Sequence, residues 1–152
     1  MSPLSPLTPD DIPEVMRLER VPEYDAFIGR FEAEEHAAEF ASPEARYFGL
    51  RDGDRLAGFV ILQELSAATV LLRRIAVAQP GVGHGAALLR ATMDWVFEET
   101  PATGLKLDVV LSNPRARRVY EREGFEHYDV DDVHHYLSIS RERWAQLRGR
   151  NT

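Results

Sequence analysis

The chain has no cysteine, which excludes disulfides, thiolate nucleophiles and cysteine-held metals together. No apolar run approaches the ~18 residues of a membrane-spanning helix, and the opening MSPLSPLTPDD lacks the charged start and apolar core of a secretion signal. A basic excess is missing too. With 18 Lys+Arg against 25 Asp+Glu the formal net charge is −7, which argues against bulk binding to nucleic acid or a membrane surface and leaves room for a cationic substrate. There are no repeats, no low-complexity tracts and no linker, so the 152 residues read as a single domain over 1–152. What remains is a cytoplasmic enzyme or binding domain, monomeric or homodimeric, in which any anionic ligand must be held by local donors.

What is present is an ordinary globular balance, 44% hydrophobic and 28% charged, organised around Leu71–Leu89, LLRRIAVAQPGVGHGAALL. An aliphatic run breaks at Gln79-Pro80, passes Gly81, Gly83 and Gly85, and resumes with helical spacing. Removing every second side chain lets successive amides approach an oxyanion, and the helix start adds unpaired N–H groups and partial positive charge. Strand, glycine loop and helix therefore form a possible phosphate cradle, although the same glycines also make a flexible turn.

Ahead of this stretch, Thr8 with Pro9 and Asp11 reads as the capped start of a helix that ends before Val21-Pro22. Tyr24, Phe27 and Ile28 either pack under a loop or wall an acceptor pocket. A helix from about Arg30 to Ala41 carries Glu32, Glu34, Glu35 and Glu39, expected as a solvated face, with attraction of a basic substrate as the second reading. Tyr47–Leu50 and Leu56–Leu62 read as strands joined at Asp52-Gly53, followed by a strand over Thr69–Val77. Leu89, Met93, Val96 and Phe97 mark the helix after the loop, and Leu105–Leu111 a buried strand, giving a right-handed parallel βαβ unit. A short helix runs from Asn113 to Glu123 with Gly124 as its exit; strands Phe125–Val130 and His134–Ile139 follow, and the tail RERWAQLRGRNT reads as a short amphipathic helix that frays.

The second informative stretch is NPRARRVYEREGF. Asn113, Ala116 and Tyr120 are spaced by three and four, so a cap, a small residue and a phenol share one helix face on which something thin can lie. Together the two stretches resemble the GNAT superfamily of acyl-CoA-dependent N-acyltransferases. Ile75-Ala76-Val77 and the glycine loop match its first signature, except that Pro80 stands where the family usually has Arg or Gln. Asn113, Ala116, Tyr120, Gly124 and Phe125 match its second in full. Within the family, LDVVLSN, ARRVYEREGF and LAGFVIL look most like the branch of ribosomal-protein N-terminal acetyltransferases.

The resemblance implies an α/β (α+β) fold with a mixed, mostly antiparallel sheet of six to seven strands, splayed between strands 4 and 5 and flanked by about four helices. It implies acetyl-CoA as cosubstrate without a metal, and direct transfer to the primary amine of a peptide or small molecule in a ternary complex. Ile75, Ala76 and Val77 would pair with the pantetheine arm. Gly81, Val82, Gly83, His84, Gly85 and Ala86 would hold the pyrophosphate, while Asn113, Ala116 and Tyr120 would flank the arm. Tyr120 would protonate the leaving thiolate, and an ammonium of solution pKa near ~10 needs a base, for which Glu64 and, second to it, Asp108 are the candidates. Elsewhere His84 reads as a solvent-facing spacer. Arg115, Arg117, Arg118 and Arg122 have two readings, contact with the cofactor's 3′-phosphate or, given partial pairing with Glu121 and Glu123, a solvated helix face, of which the second is expected. One ring of His134-His135 should point inward. Two other readings stand beside the enzyme: an acyl-CoA-binding sensor without turnover, and a nucleotide-binding module, which the missing Gly-Lys-Ser/Thr disfavours.

Overall fold

Aliphatic and aromatic runs, broken by Gly, Asp and Pro, become β1 Ser5–Pro6, β2 Arg46–Asp52, β3 Arg55–Gln63, β4 Thr69–Val77, β5 Gly104–Val110, β6 Glu126–Val130 and β7 His134–Ser140. The computed structural model describes residues 4–20, 31–79 and 81–150. Its seven strands form one sheet in the order β1-β2-β3-β4-β5-β7-β6. Only β4 and β5 run parallel. Five α-helices are described, α1 Ile12–Glu19, α2 Ala33–Ala41, α3 His84–Glu99, α4 Pro114–Arg122 and α5 Arg141–Arg150, with a 3-10 turn Pro9–Asp11 leading into α1. The expected mixed, mostly antiparallel sheet is what forms. Among the described residues no helix is long and apolar enough to cross a membrane.

Two apolar layers hold the sheet. On one face Val60, Leu62, Val70, Leu72, Leu105, Leu107, Leu137 and Ile139 pack against Leu88, Leu89, Met93, Val96 and Phe97 of α3. On the other, Phe59, Ile61 and Ala76 meet Val15 and Leu18 of α1. The second layer reaches only β2–β4, so on that face the half-buried or exposed Lys106, Asp108, His134 and Tyr136 lie outside it.

A β-bulge keeps the pattern of β4 in phase. Ile61 faces Arg74 but Leu62 faces Leu72, which leaves Arg73 as the extra residue. Val70 and Leu72 therefore share the α3 face with Ile75 and Val77, while Arg74 turns to the other side.

There Arg74 meets Glu19, which the apolar spacing of α1 carries inward. Both side chains are buried, and Glu19 also receives His36 Nε2 at 2.8 Å while His36 Nδ1 lies 2.6 Å from the Tyr47 hydroxyl. Burial, then the nearby Glu39 and Glu19 carboxylates, push the Tyr47 phenol well above its usual value.

The tail departs from expectation: it docks instead of fraying. Arg141 donates to the carbonyls of Phe97, Thr100 and Ala102, satisfying the end of α3, and Trp144 Nε1 donates to Asp94 Oδ1 at 2.8 Å. These partners lie about 40 to 50 residues upstream, out of reach of any local periodicity.

Candidate active site

The parallel register of β4 and β5 covers Thr69↔Gly104, Val70↔Leu105 and Leu71↔Lys106, and goes no further. Beyond it β5 stays fully paired with β7, out to Val110↔His134. The Arg73 bulge comes two residues after the last pair on β4, where extra twist carries β4 away. A wedge-shaped gap thus separates 72–76 from 107–110. This is the expected splay.

At the end of β4 the glycine loop turns into α3. Gly81 and Gly83 take φ of +88° and +87°, a region costly for other residues, and Gly83 is the N-cap, its carbonyl accepting Ala87 N–H at 3.1 Å. A glycine cap offers no side-chain acceptor, so the amides of His84, Gly85 and Ala86 have no hydrogen-bond partner among the described residues. A Cβ on Gly85 would meet nothing within 4 Å among the described residues, whose packing does not demand a glycine there. The open space beside those amides suits an anion. His84 is not the solvent-facing spacer expected: it is half-buried, and its Nδ1 is a buried nitrogen without a hydrogen-bond partner among the described residues. Pro80 lies outside the described residues, as do Tyr24, Phe27 and Ile28.

The helix on the other flank is built as its spacing suggests. Asn113 Oδ1 caps α4 by accepting the Ala116 N–H at 3.3 Å, and Ala116 and Tyr120 pack against the α3-side core. Tyr120 is half-buried, its ring 6.2 Å from that of Phe125. Gly124 ends the helix at φ +113°, with Phe125 N–H bonding the Tyr120 carbonyl and Gly124 N–H that of Glu121.

The two carboxylate candidates are placed differently. Glu64 follows β3 at φ +57°, exposed, its Oε1 3.6 Å from Lys106 Nζ at the closed end of the gap. With Glu39 and Glu44 it lines a cavity of about 380 Å³. Asp108 lies on the stretch of β5 that borders the gap. Alternation sends Leu105, Leu107 and Val109 to the α3 side and Asp108 to the opposite face, where its Oδ1 is 4.0 Å from His134 Nε2. The next ring, His135, turns to the α4 side, 3.1 Å from Arg117 Nη1 and 3.0 Å from His127 Nε2; desolvation, then Arg117 and His127, lower its pKa.

The arginines of α4 do not behave alike. Arg117 pairs with Glu121 at 3.3 Å, but Glu123 is taken by Arg90 of α3 at 2.6 Å. What the sequence reading missed is the buried Glu19–His36–Tyr47–Arg74 cluster. The only local hint was Glu19 falling four residues after Val15 on the buried stripe of α1.

Residues 12–125 match the acetyltransferase (GNAT) family. No curated protein matches the sequence. Among solved structures, a spermidine N-acetyltransferase mutant from Vibrio cholerae is similar at 19% identity and a TM-score of 0.81, over 95% of this chain and 98% of that one. The Vibrio cholerae enzyme in complex with CoA and spermine matches at 19% identity and 0.80, over 93% and 96%. A ribosomal-protein-alanine N-acetyltransferase from Escherichia coli matches at 24% identity and 0.75, over 92% and 94%. The expected placement in the ribosomal-protein branch is therefore corrected, since the spermidine enzymes superpose better. The phrases behind that placement build β3, β5 and α4, which form the sheet and the flank of the gap, and carry little about the acceptor. With a helix start whose first amides have no partner among the described residues, a gap between parallel strands and this family match, the chain belongs to the acetyltransferase (GNAT) family and is an acetyl-CoA-dependent N-acetyltransferase.

Proposed function

We propose that acetyl-CoA threads the β4–β5 gap and that a small polycationic amine is acetylated there by direct attack. One observation carries this reading: parallel pairing stops at Leu71 and Lys106, leaving the β5-facing edge of 72–76 without a strand partner among the described residues. An arm carrying amides can add to such an edge as a strand would. Ile75 and Ala76 border the arm, and the amides of 82–86 receive the diphosphate. Asn113 holds the start of α4 so that Ala116 leaves the arm room to pass.

The chemistry divides between the two faces of the sheet. Tyr120 packs on the α3 side and gives its proton to the sulfur as the C–S bond breaks. Asp108 points to the opposite face and takes, through a water, the proton that the ammonium must lose before its lone pair attacks the carbonyl carbon. We assign the base to Asp108 over Glu64 because Asp108 borders the gap, whereas Glu64 lies at its closed end beside Lys106. Without cysteine to carry the acyl group, transfer is direct.

For the acceptor, the net charge of −7 and the similarity to enzymes named for spermidine support a small amine with several positive charges. Calorimetry with acetyl-CoA and thiol release with spermidine or an alanyl peptide test the reading. Binding without release to any amine would support the sensor, and faster release with the peptide would overturn the acceptor class. Asp108→Asn should lower kcat by about 100-fold or more while leaving the acetyl-CoA Kd within about twofold; loss on Glu64→Gln alone would move the base to Glu64.

A further inference from the structure

We infer that Arg115, in the first turn of α4, supplies the cationic side chain for the diphosphate that Pro80 cannot supply; this rests on the glycine loop being the anion cradle of the cofactor site. The similarity that marks the loop puts an Arg or Gln at the position of Pro80, and a proline ring has neither charge nor donor. Arg115 approaches the same loop from the other side. Its Nη2 lies 3.2 Å from where a Cβ on Gly81 would stand, so the guanidinium rests against the turn leading into the free amides of α3.

Arg115 has no carboxylate partner among the described residues, whereas Arg90 and Arg117 are taken by Glu123 and Glu121. A second observation points the same way. Helix starts commonly carry Asp or Glu, yet neither α3 nor α4 has an acidic residue in its first turn, in a chain with 25 of them. Two helix N-termini without an acidic residue, and a guanidinium without a carboxylate partner among the described residues, thus flank one loop in a protein of net charge −7. A planar fork of donors matches two oxygens of a diphosphate, and gripping from α4 would fix loop and helix together around the ligand.

The test measures the Kd of wild type, Arg115→Ala, Arg115→Lys and Arg118→Ala for acetyl-CoA and for its 3′-dephospho form, by calorimetry. It adds kcat/KM with S-acetyl-pantetheine, which carries no diphosphate. Arg115→Ala should weaken both nucleotide-bearing ligands equally, by about 10-fold or more, as loss of a charge-assisted hydrogen bond does. Arg115→Lys should recover part of this, Arg118→Ala should stay within about twofold of wild type, and S-acetyl-pantetheine should be used equally by all four. Unchanged affinity in Arg115→Ala overturns the inference. A loss confined to the 3′-phosphorylated ligand overturns it too, by moving Arg115 to the 3′-phosphate. Wild type that binds neither ligand would instead bring down the cofactor-site reading itself.

Discussion

Glu14 accepts the Nε–H groups of Arg17 at 2.5 Å and of Arg55 at 2.7 Å, and these bonds, Arg17 first, hold its carboxyl at about 2 against a usual 4.5. A carboxyl depressed on folding contributes stability that is complete above 4.5 and is lost as pH falls toward about 2. Because the pair is partly solvated, Glu14→Gln should cost no more than about 1 kcal/mol near neutrality. Its urea midpoint should converge on that of wild type between pH 5 and about 2.5; a constant difference would show that Glu14 does not titrate in that window. Glu19 is the opposite case. Removing it leaves the Arg74 guanidinium, 4% exposed, without its counter-charge, so Glu19→Ala should cost about 3–5 kcal/mol in chemical denaturation. No local pattern announces this, because an acidic residue on an apolar stripe looks like a helix edge until Arg74, 55 residues on, is brought against it.

At the scale of elements, α4 is set by both its ends. Its cap is Asn113, and its exit is Gly124, where a Cβ would need φ +113° and would lie 2.5 Å from Leu147 Cδ1. Gly124→Ala should therefore destabilise by about 1–3 kcal/mol, chiefly from the backbone, since the methyl it meets ends a flexible side chain. If the Gly124–Phe125 turn also sets the pitch of the helix carrying Tyr120, kcat should fall more than the acetyl-CoA affinity. Thermal unfolding and a KM-against-kcat comparison read both. The strand–loop–helix order and the Asn113–Ala116–Tyr120 face were legible in the sequence, because capping residues, glycines and helical spacing act within a few residues. The fate of the tail was not, since Arg141, Trp144 and Leu147 gain their partners only when α5 lies against α3 and the end of α4. Deleting residues 141–152 should thus lower Tm by several degrees, an effect a fraying tail would not have.

For the whole molecule, charge governs encounter more than grip. A cationic acceptor approaching a protein of net charge −7 is steered over distances comparable to the Debye length, about 10 Å at 0.1 M salt. Raising NaCl from about 20 to about 200 mM should reduce kcat/KM for spermidine several-fold, mainly through KM. A profile flat in salt would argue for a neutral acceptor.

The local chemistry is written in the linear order of residues: a glycine turn that bares helix amides, a helix face with a cap, a small residue and a phenol, and an acidic surface without thiols. Each depends on neighbours within a turn or two, where backbone preference and side-chain spacing act directly. Tertiary structure alone decided where β4 leaves β5, which carboxylate borders the resulting gap, that Arg115 leans on a loop more than 30 residues before it, and that Glu19 is buried with Arg74. Those outcomes follow from register, a one-residue bulge and packing between distant segments, and a linear pattern carries no record of which distant residues will meet.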